Sequence, residues 1–132
     1  MPPLAIETWH KAMKARDAGK LDDLLADDVI FQSPVVHSAQ NGKAITKLYL
    51  TAAMEVLGND SFRYVGEWYG ETSAVLEFET EIDGIKINGI DMIAWNDTGR
   101  IINFKVMVRP LKAINKLHEL MGAWLSKMMP KA

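Results

Sequence analysis

The sequence predicts an α+β protein in which helices pack against one curved antiparallel sheet. Before residue 61 and after residue 110, apolar residues mostly recur every three or four positions, as in amphipathic helices. Between these limits the period changes to two, which is typical of strands with one buried face. Helices segregated from a meander of strands favour a sheet that wraps over the helices.

The part before residue 61 predicts three helices and one strand. The first helix carries Ile6, Trp9 and Met13 on one face, and Gly19 ends it. A short helix, a strand and a longer helix closed by Gly58 follow, with the sequences KLDDLLADD, VIFQS and NGKAITKLYLTAAMEVLG.

Four strands in antiparallel order are predicted next. Their turns are marked by Gly70, by Asp83-Gly84 and by the run from Asn96 to Gly99. Pro110 then suits the first turn of a last, methionine-rich helix, where no backbone N–H is needed. The strand sequences are SFRYVGEWYG, SAVLEFETEIDG, IKINGIDMIAWND and GRIINFKVMVRP.

Strand alternation separates an apolar inner face from a charged outer face. The inner face includes Asp91, the only acid among bulky apolar neighbours. The outer face carries three glutamates and three cations, which are typical of a solvated surface. Apolar residues interrupt it and predict a homodimer through this face: Ile90, Met92, Ala94 and Met107.

Size and composition exclude several classes of protein. The 132 residues predict one domain, 1–132, and the absence of cysteine excludes disulfides and thiolate chemistry. A net charge of −2 argues against nucleic acid as a partner. The N-terminus lacks a signal-peptide pattern, and no apolar run could span a bilayer, so we expect a soluble, cytoplasmic protein with no membrane partner.

Motifs for metals and cofactors are also missing from the sequence. The pair His118-Glu119 lacks the second histidine of a zinc motif, because position 122 is glycine. No phosphate-binding or dinucleotide-binding glycine motif occurs. We therefore expect no metal site and no cofactor.

Three stretches resemble the nuclear transport factor 2-like superfamily, the cone-shaped α+β fold of SnoaL-like polyketide cyclases and ketosteroid isomerase. DAGKLDDLLADDVIFQSPVV resembles its helix–short helix–strand opening, and NGKAI resembles the glycine before its third helix. GIDMIAWNDTGRIINFKVMVRP resembles its last hairpin. The resemblance implies the fold more than any reaction, because one fold supports many functions.

The resemblance carries over only part of the isomerase pattern. Asp91 matches the protonated aspartic acid of the oxyanion hole. The general-base aspartate falls on Ser33, and the partner tyrosine falls on Ala12. One of the three chemical groups is thus retained, which makes ketosteroid isomerase itself an unfavoured assignment.

Each candidate residue has a structural alternative. Asp91 is the candidate acid or hydrogen-bond donor, although it could instead bond a backbone N–H or a buried polar side chain. Ser33 could contact a ligand or only form a turn, and His37 could overhang the pocket or only occupy an exposed loop. Side chains that would line an apolar pocket could equally be plain core: Trp9, Met13, Tyr64, Trp95, Phe104 and Val106.

Two functions follow from these residues. The first is a cyclase, isomerase or dehydratase that acts on a small apolar carbonyl compound, with Asp91 as the acid. The second is a non-catalytic module that binds an apolar or aromatic ligand or forms a homodimer. The missing base and tyrosine favour the second, and the acid on an apolar face favours the first.

Overall fold

A computed structural model of the chain describes residues 3–128. Within them the chain forms four α-helices, one 3-10 turn and six strands. In chain order they are α1 (Leu4–Ala15), the 3-10 turn (Ala18–Lys20), α2 (Leu21–Leu24), β1 (Leu25–Gln32), β2 (Gln40–Asn41), α3 (Lys43–Leu57), β3 (Arg63–Tyr69), β4 (Ser73–Ile82), β5 (Ile85–Trp95), β6 (Ile101–Arg109) and α4 (Leu111–Met128).

The six strands form one sheet in the order β2-β1-β6-β5-β4-β3. The predicted meander from β3 to β6 is confirmed, and each neighbouring pair within it is antiparallel. The sequence predicts a wholly antiparallel sheet. The pair β1–β6 is parallel, so the sheet is mixed. The predicted α+β fold class is confirmed.

The opening of the chain differs from the prediction at one boundary. The predicted second helix runs to Asp28, but α2 ends at Leu24 and Leu25 already has extended backbone angles. Leu25 and Ala26 are buried at the start of β1, where Leu25 pairs with Ile101. Pairing with β6 thus decides in favour of a strand where the local sequence favours a helix.

The core lies between the inner face of the sheet and the helices. The predicted inner faces of β4 and β5 are confirmed, since Leu76, Phe78, Ile87 and Ile93 are all buried. From the other side, the helices contribute buried apolar side chains to the same core: Ala5, Ile6, Trp9, Ala12, Met13, Leu50, Met54 and Leu57.

A bulge changes the expected face of one residue in β6. Trp95 pairs with Ile101, whereas Ala94 pairs with Asn103, so Ile102 is an extra residue. Ile101 therefore points into the core and Ile102 is exposed. Beyond the bulge, Phe104 and Val106 return to the inner face.

The outer face of the sheet has the predicted mixture of charge and apolar surface. Glu81 lies opposite Lys86, and Asn88 lies between Glu79 and Arg109. Two apolar cross-strand pairs lie beside these polar residues. They are Val75 with Met92, and Ile90 with Met107.

Candidate functional site

A cavity of about 220 Å³ lies between the inner face of the sheet and the helices, with α4 at its edge. Its volume is below the roughly 300–1,000 Å³ of pockets for drug-sized ligands. Most of its wall is apolar. The lining residues are Trp9, Met13, Phe31, Ser33, Pro34, Val35, Val36, Tyr49, Leu50, Ala53, Met54, Leu57, Phe62, Tyr64, Asp91, Phe104, Val106, Leu117, His118, Met121, Gly122 and Leu125.

Asp91 lies on the inner face of β5, where strand alternation turns its side chain toward the cavity. Its cross-strand partners are Leu76 on β4 and Val106 on β6. The residue is only 6% exposed. Burial disfavours the charged carboxylate and raises the pKa of Asp91 from 3.8 to about 7, against a smaller opposing effect of a hydrogen bond from Tyr64.

Tyr64 and Trp9 complete a chain of hydrogen bonds behind the carboxyl group. The Tyr64 hydroxyl donates to Oδ2 of Asp91 at 2.6 Å, and Nε1 of Trp9 donates to the Tyr64 oxygen at 2.8 Å. Burial and the negative charge of Asp91 raise the pKa of Tyr64 well above its ordinary value. Tyr64 therefore keeps its proton and holds Oδ2 in a fixed place.

The second oxygen of Asp91 is the one available for chemistry. No hydrogen bond from residues 3–128 reaches Oδ1, whereas Oδ2 is bound by Tyr64. When protonated, the carboxyl group can donate a hydrogen bond to a carbonyl oxygen. Because its pKa is near neutrality, both protonation states are populated at physiological pH.

The hydrogen bonds modify two expectations about Asp91. Asp91 accepts a hydrogen bond from the half-buried Tyr64, as in the structural alternative given in the sequence analysis. It also lines the cavity. Position 12 of α1, to which the resemblance assigns the partner tyrosine, holds a buried alanine, but Tyr64 supplies a tyrosine hydroxyl to Asp91 from β3.

Ser33 lies on the cavity wall, in the loop that follows β1. Its hydroxyl oxygen accepts hydrogen bonds from the backbone N–H groups of Val35 and Val36, at 2.9 and 3.2 Å. It therefore forms the predicted turn and lies beside the cavity as well. With its oxygen occupied in this way, the hydroxyl can donate to a ligand but is a poor proton acceptor.

Two of the sequence-predicted residues do not line this cavity. His37 is exposed in the loop before β2, one position beyond Val36, the last residue of that loop on the cavity wall. Trp95 lies at the end of β5, where the bulge pairs it with Ile101 and packs it against the core. The other predicted residues, Trp9, Met13, Tyr64, Phe104 and Val106, lie on the wall.

Aromatic contacts fix the wall around Asp91. The rings of Trp9 and Phe104 meet edge to face with centroids 4.8 Å apart. Phe62 meets Tyr64 in the same way at 5.2 Å. Such contacts favour one orientation of each ring, so the Trp9–Tyr64–Asp91 chain is positioned before any ligand arrives.

Two more polar residues lie on the wall, and sequence reasoning missed one of them, His118, as a site candidate. Tyr49 lies on α3 with its ring against Phe31, and His118 lies on α4 at the rim. His118 shares a helix face with Met121 and Leu125, at spacings of three and seven residues. That spacing is the signal that could have placed it at the cavity.

Among the described residues, no group of three or more His, Cys, Asp or Glu side chains could hold a metal ion. No helix from residue 3 to 128 is long and apolar enough to cross a membrane.

Solved structures of known proteins are similar to this chain. One is a steroid delta-isomerase from Pseudomonas aeruginosa, with 34% identity and a TM-score of 0.89 over 94% of this chain and 90% of that chain. A second is an uncharacterised protein with a cystatin-like fold from Silicibacter pomeroyi, at 26% identity and TM-score 0.86 over 93% and 86% of the two chains.

A third is a nuclear transport factor 2-like protein of unknown function from Mesorhizobium loti, which shares the fold. It has 15% identity and a TM-score of 0.70 over 80% of this chain and 88% of that chain. No protein-family model matches the chain, and no curated protein sequence matches it.

Proposed function

The chain belongs to the nuclear transport factor 2-like superfamily, and from this premise we propose that it is an isomerase-type enzyme for a small apolar carbonyl compound. The compound binds in the cavity with its carbonyl oxygen next to Asp91. Asp91 donates a hydrogen bond to that oxygen while a proton moves between carbon atoms of the ligand.

One observation carries this proposal: a single carboxyl group is buried on an apolar cavity wall, with one oxygen held and the other without a partner in residues 3–128. Negative charge develops on a carbonyl oxygen when a neighbouring C–H bond is broken. A fixed donor in a dry site stabilises that charge strongly, because no water must reorganise. Cyclisation and dehydration of carbonyl compounds could use the same donor.

Similarity to the steroid delta-isomerase supports this reaction class, since that protein covers nearly the whole chain at 34% identity. The cavity volume of about 220 Å³ favours a ligand at or below the small end of the usual range. We therefore propose a mono- or bicyclic ketone rather than a full steroid as the substrate.

The proposal predicts that Asp91→Asn impairs turnover without unfolding the protein. The probe is cyclohex-3-en-1-one, whose conversion to the conjugated ketone is followed by ultraviolet absorbance. We expect kcat/KM to fall at least about 10-fold, or about 1.4 kcal/mol of transition-state stabilisation, because the asparagine amide still donates a hydrogen bond but is a far weaker acid than the carboxyl group. Asp28→Asn, at an exposed position of β1, is the matched control and should convert the probe at the wild-type rate.

Unchanged conversion by Asp91→Asn would contradict the proposed role of the carboxyl group. A wild-type protein that binds ketones and converts none would instead favour the second function, a non-catalytic ligand-binding module. The specific observation behind that alternative is Ser33, which replaces the base and has its oxygen occupied by two backbone N–H groups.

A further inference from the structure

We propose that His118 of α4 is the general base of this site, and that it takes the proton from the carbon next to the carbonyl group. This inference rests on the proposed function and adds the residue that accepts the proton. A proton shift needs an acceptor as well as the donor that Asp91 supplies. The position at which the resemblance implies a base holds Ser33.

The cavity wall limits the choice of acceptor. Its polar side chains within residues 3–128 include an alcohol at Ser33, phenols at Tyr49 and Tyr64, the carboxyl group of Asp91 and the imidazole of His118. Tyr64 is engaged with Asp91, and the Ser33 oxygen already accepts two hydrogen bonds. Imidazole is the side-chain group most often used to accept and return a proton near neutral pH.

His118 lies at the rim of the cavity on a helix that is anchored in the core. The preceding residue, Leu117, is 3% exposed and anchors α4 in the core. His118 itself is exposed, and no hydrogen bond or ion pair from the described residues holds its ring. One turn further on is Gly122, where an added side-chain carbon would meet nothing within 4 Å. The imidazole ring therefore has room to turn between solvent and ligand.

The other two histidines lack this position. The ring of His10 meets Tyr64 edge to face with centroids 5.0 Å apart, and its Nε2 is 2.9 Å from Oε1 of Glu67. His37 is exposed in the loop before β2. Neither of them lines the cavity.

Protons and electrons balance in a reaction that uses only His118 and Asp91. Neutral His118 removes a proton from the α-carbon, and the electrons of the C–H bond form a C=C bond while the carbonyl oxygen becomes an enolate. Asp91 donates a hydrogen bond to that oxygen. The imidazolium of His118 then returns the proton to the γ-carbon, and the carbonyl group re-forms with the double bond in conjugation. No oxidant, reductant or second substrate is consumed.

The test measures deuterium uptake at the α-carbon of cyclohex-3-en-1-one in D₂O by proton NMR, together with its isomerisation. We expect His118→Ala to lower kcat about 100-fold or more, the lower range of general-base effects. Added imidazole should restore part of the lost rate in His118→Ala, which a merely structural role would not allow. His37→Ala, at an exposed loop position, is the matched control and should react at the wild-type rate.

Fluorescence binding of 2-naphthol separates this inference from the proposed function. Binding should be unchanged in His118→Ala, because Asp91 remains, and weaker in Asp91→Asn. If His118→Ala reacts at the wild-type rate while Asp91→Asn does not, the base assignment is overturned and the proposed function stands. A failure of imidazole to restore any activity also overturns it. If the wild type catalyses neither exchange nor isomerisation, both proposals fall.

Discussion

A carboxyl group buried among apolar side chains makes the stability of this protein depend on pH. The pKa of Asp91 is 3.8 in its ordinary setting and about 7 in the folded chain. Between these values the unfolded chain loses the proton while the folded chain keeps it. The free energy of unfolding therefore falls as pH rises from about 4 to about 7, and Asp91 contributes no further change outside that window.

We predict that Asp91→Asn removes this dependence. At ~1.36 kcal/mol per pKa unit, the variant should be more stable than the wild type by up to about 4 kcal/mol at pH 8, with little difference at pH 4. Urea unfolding at several pH values measures this. Asp28→Asn should keep the wild-type dependence of stability on pH. If Asp91→Asn kept it too, Asp91 would titrate near its ordinary value in the folded chain.

At the scale of elements, a glycine in β5 supports the geometry of the carboxyl group. An added carbon at Gly89 would meet Cζ of Phe78 at 2.5 Å and the carbonyl oxygen of Met107 at 2.7 Å. Phe78 can lie across β5 only because this space is empty. Phe78 in turn stacks on Phe62 at 5.3 Å, and its ring meets the edge of Tyr64. The absence of one side chain thus helps to place the tyrosine that holds Asp91.

Gly89→Ala should therefore destabilise the fold by about 1–3 kcal/mol, the usual effect of overpacking a core. Gly122→Ala is the contrasting variant, because the new carbon has open space on α4, where alanine is the better helix former. It should be neutral or slightly more stable. Thermal unfolding compares the two, and equal melting temperatures for both variants would contradict the close packing at Gly89.

At the scale of the whole molecule, the outer face of the sheet is the surface that we propose for a second copy of the chain. Its pairs Val75–Met92 and Ile90–Met107 form an apolar area beside Trp68, which is 58% exposed. Charged residues surround that area, as at the rim of many interfaces. A twofold axis through the area would place each apolar pair against its copy.

This proposal predicts that the wild type sediments as a dimer in analytical ultracentrifugation. Met107→Glu should shift it to the monomer, since Met107 is 50% exposed and two buried carboxylates would face each other across the axis. Thr98→Glu in the β5–β6 turn is the control and should remain dimeric. A monomeric wild type would exclude this use of the outer face.

Local signals explain which parts of the fold and site were predictable. Turn residues and alternation are encoded within each strand, so the meander and the inward direction of Asp91 follow from the sequence. The start of β1 depends on pairing with a distant strand, and Ile102 faces outward because of a bulge. The hydrogen bond between Tyr64 and Asp91 joins β3 to β5 across β4. No local sequence pattern specifies a contact between strands that are not neighbours in the sheet.

The parallel pairing of β1 with β6 also sets an order for folding. Phe31 of β1 pairs with Phe104 of β6, so β1 can form this pairing only after all the strands between them in sequence have been synthesised. Until then β1 can pair with the two-residue strand β2 alone. For contacts this remote in sequence, the loop-closure cost comes before the contacts stabilise the fold, and this slows folding. On the ribosome, we therefore expect the cavity to close last, once the segment that carries β6 and α4 has emerged.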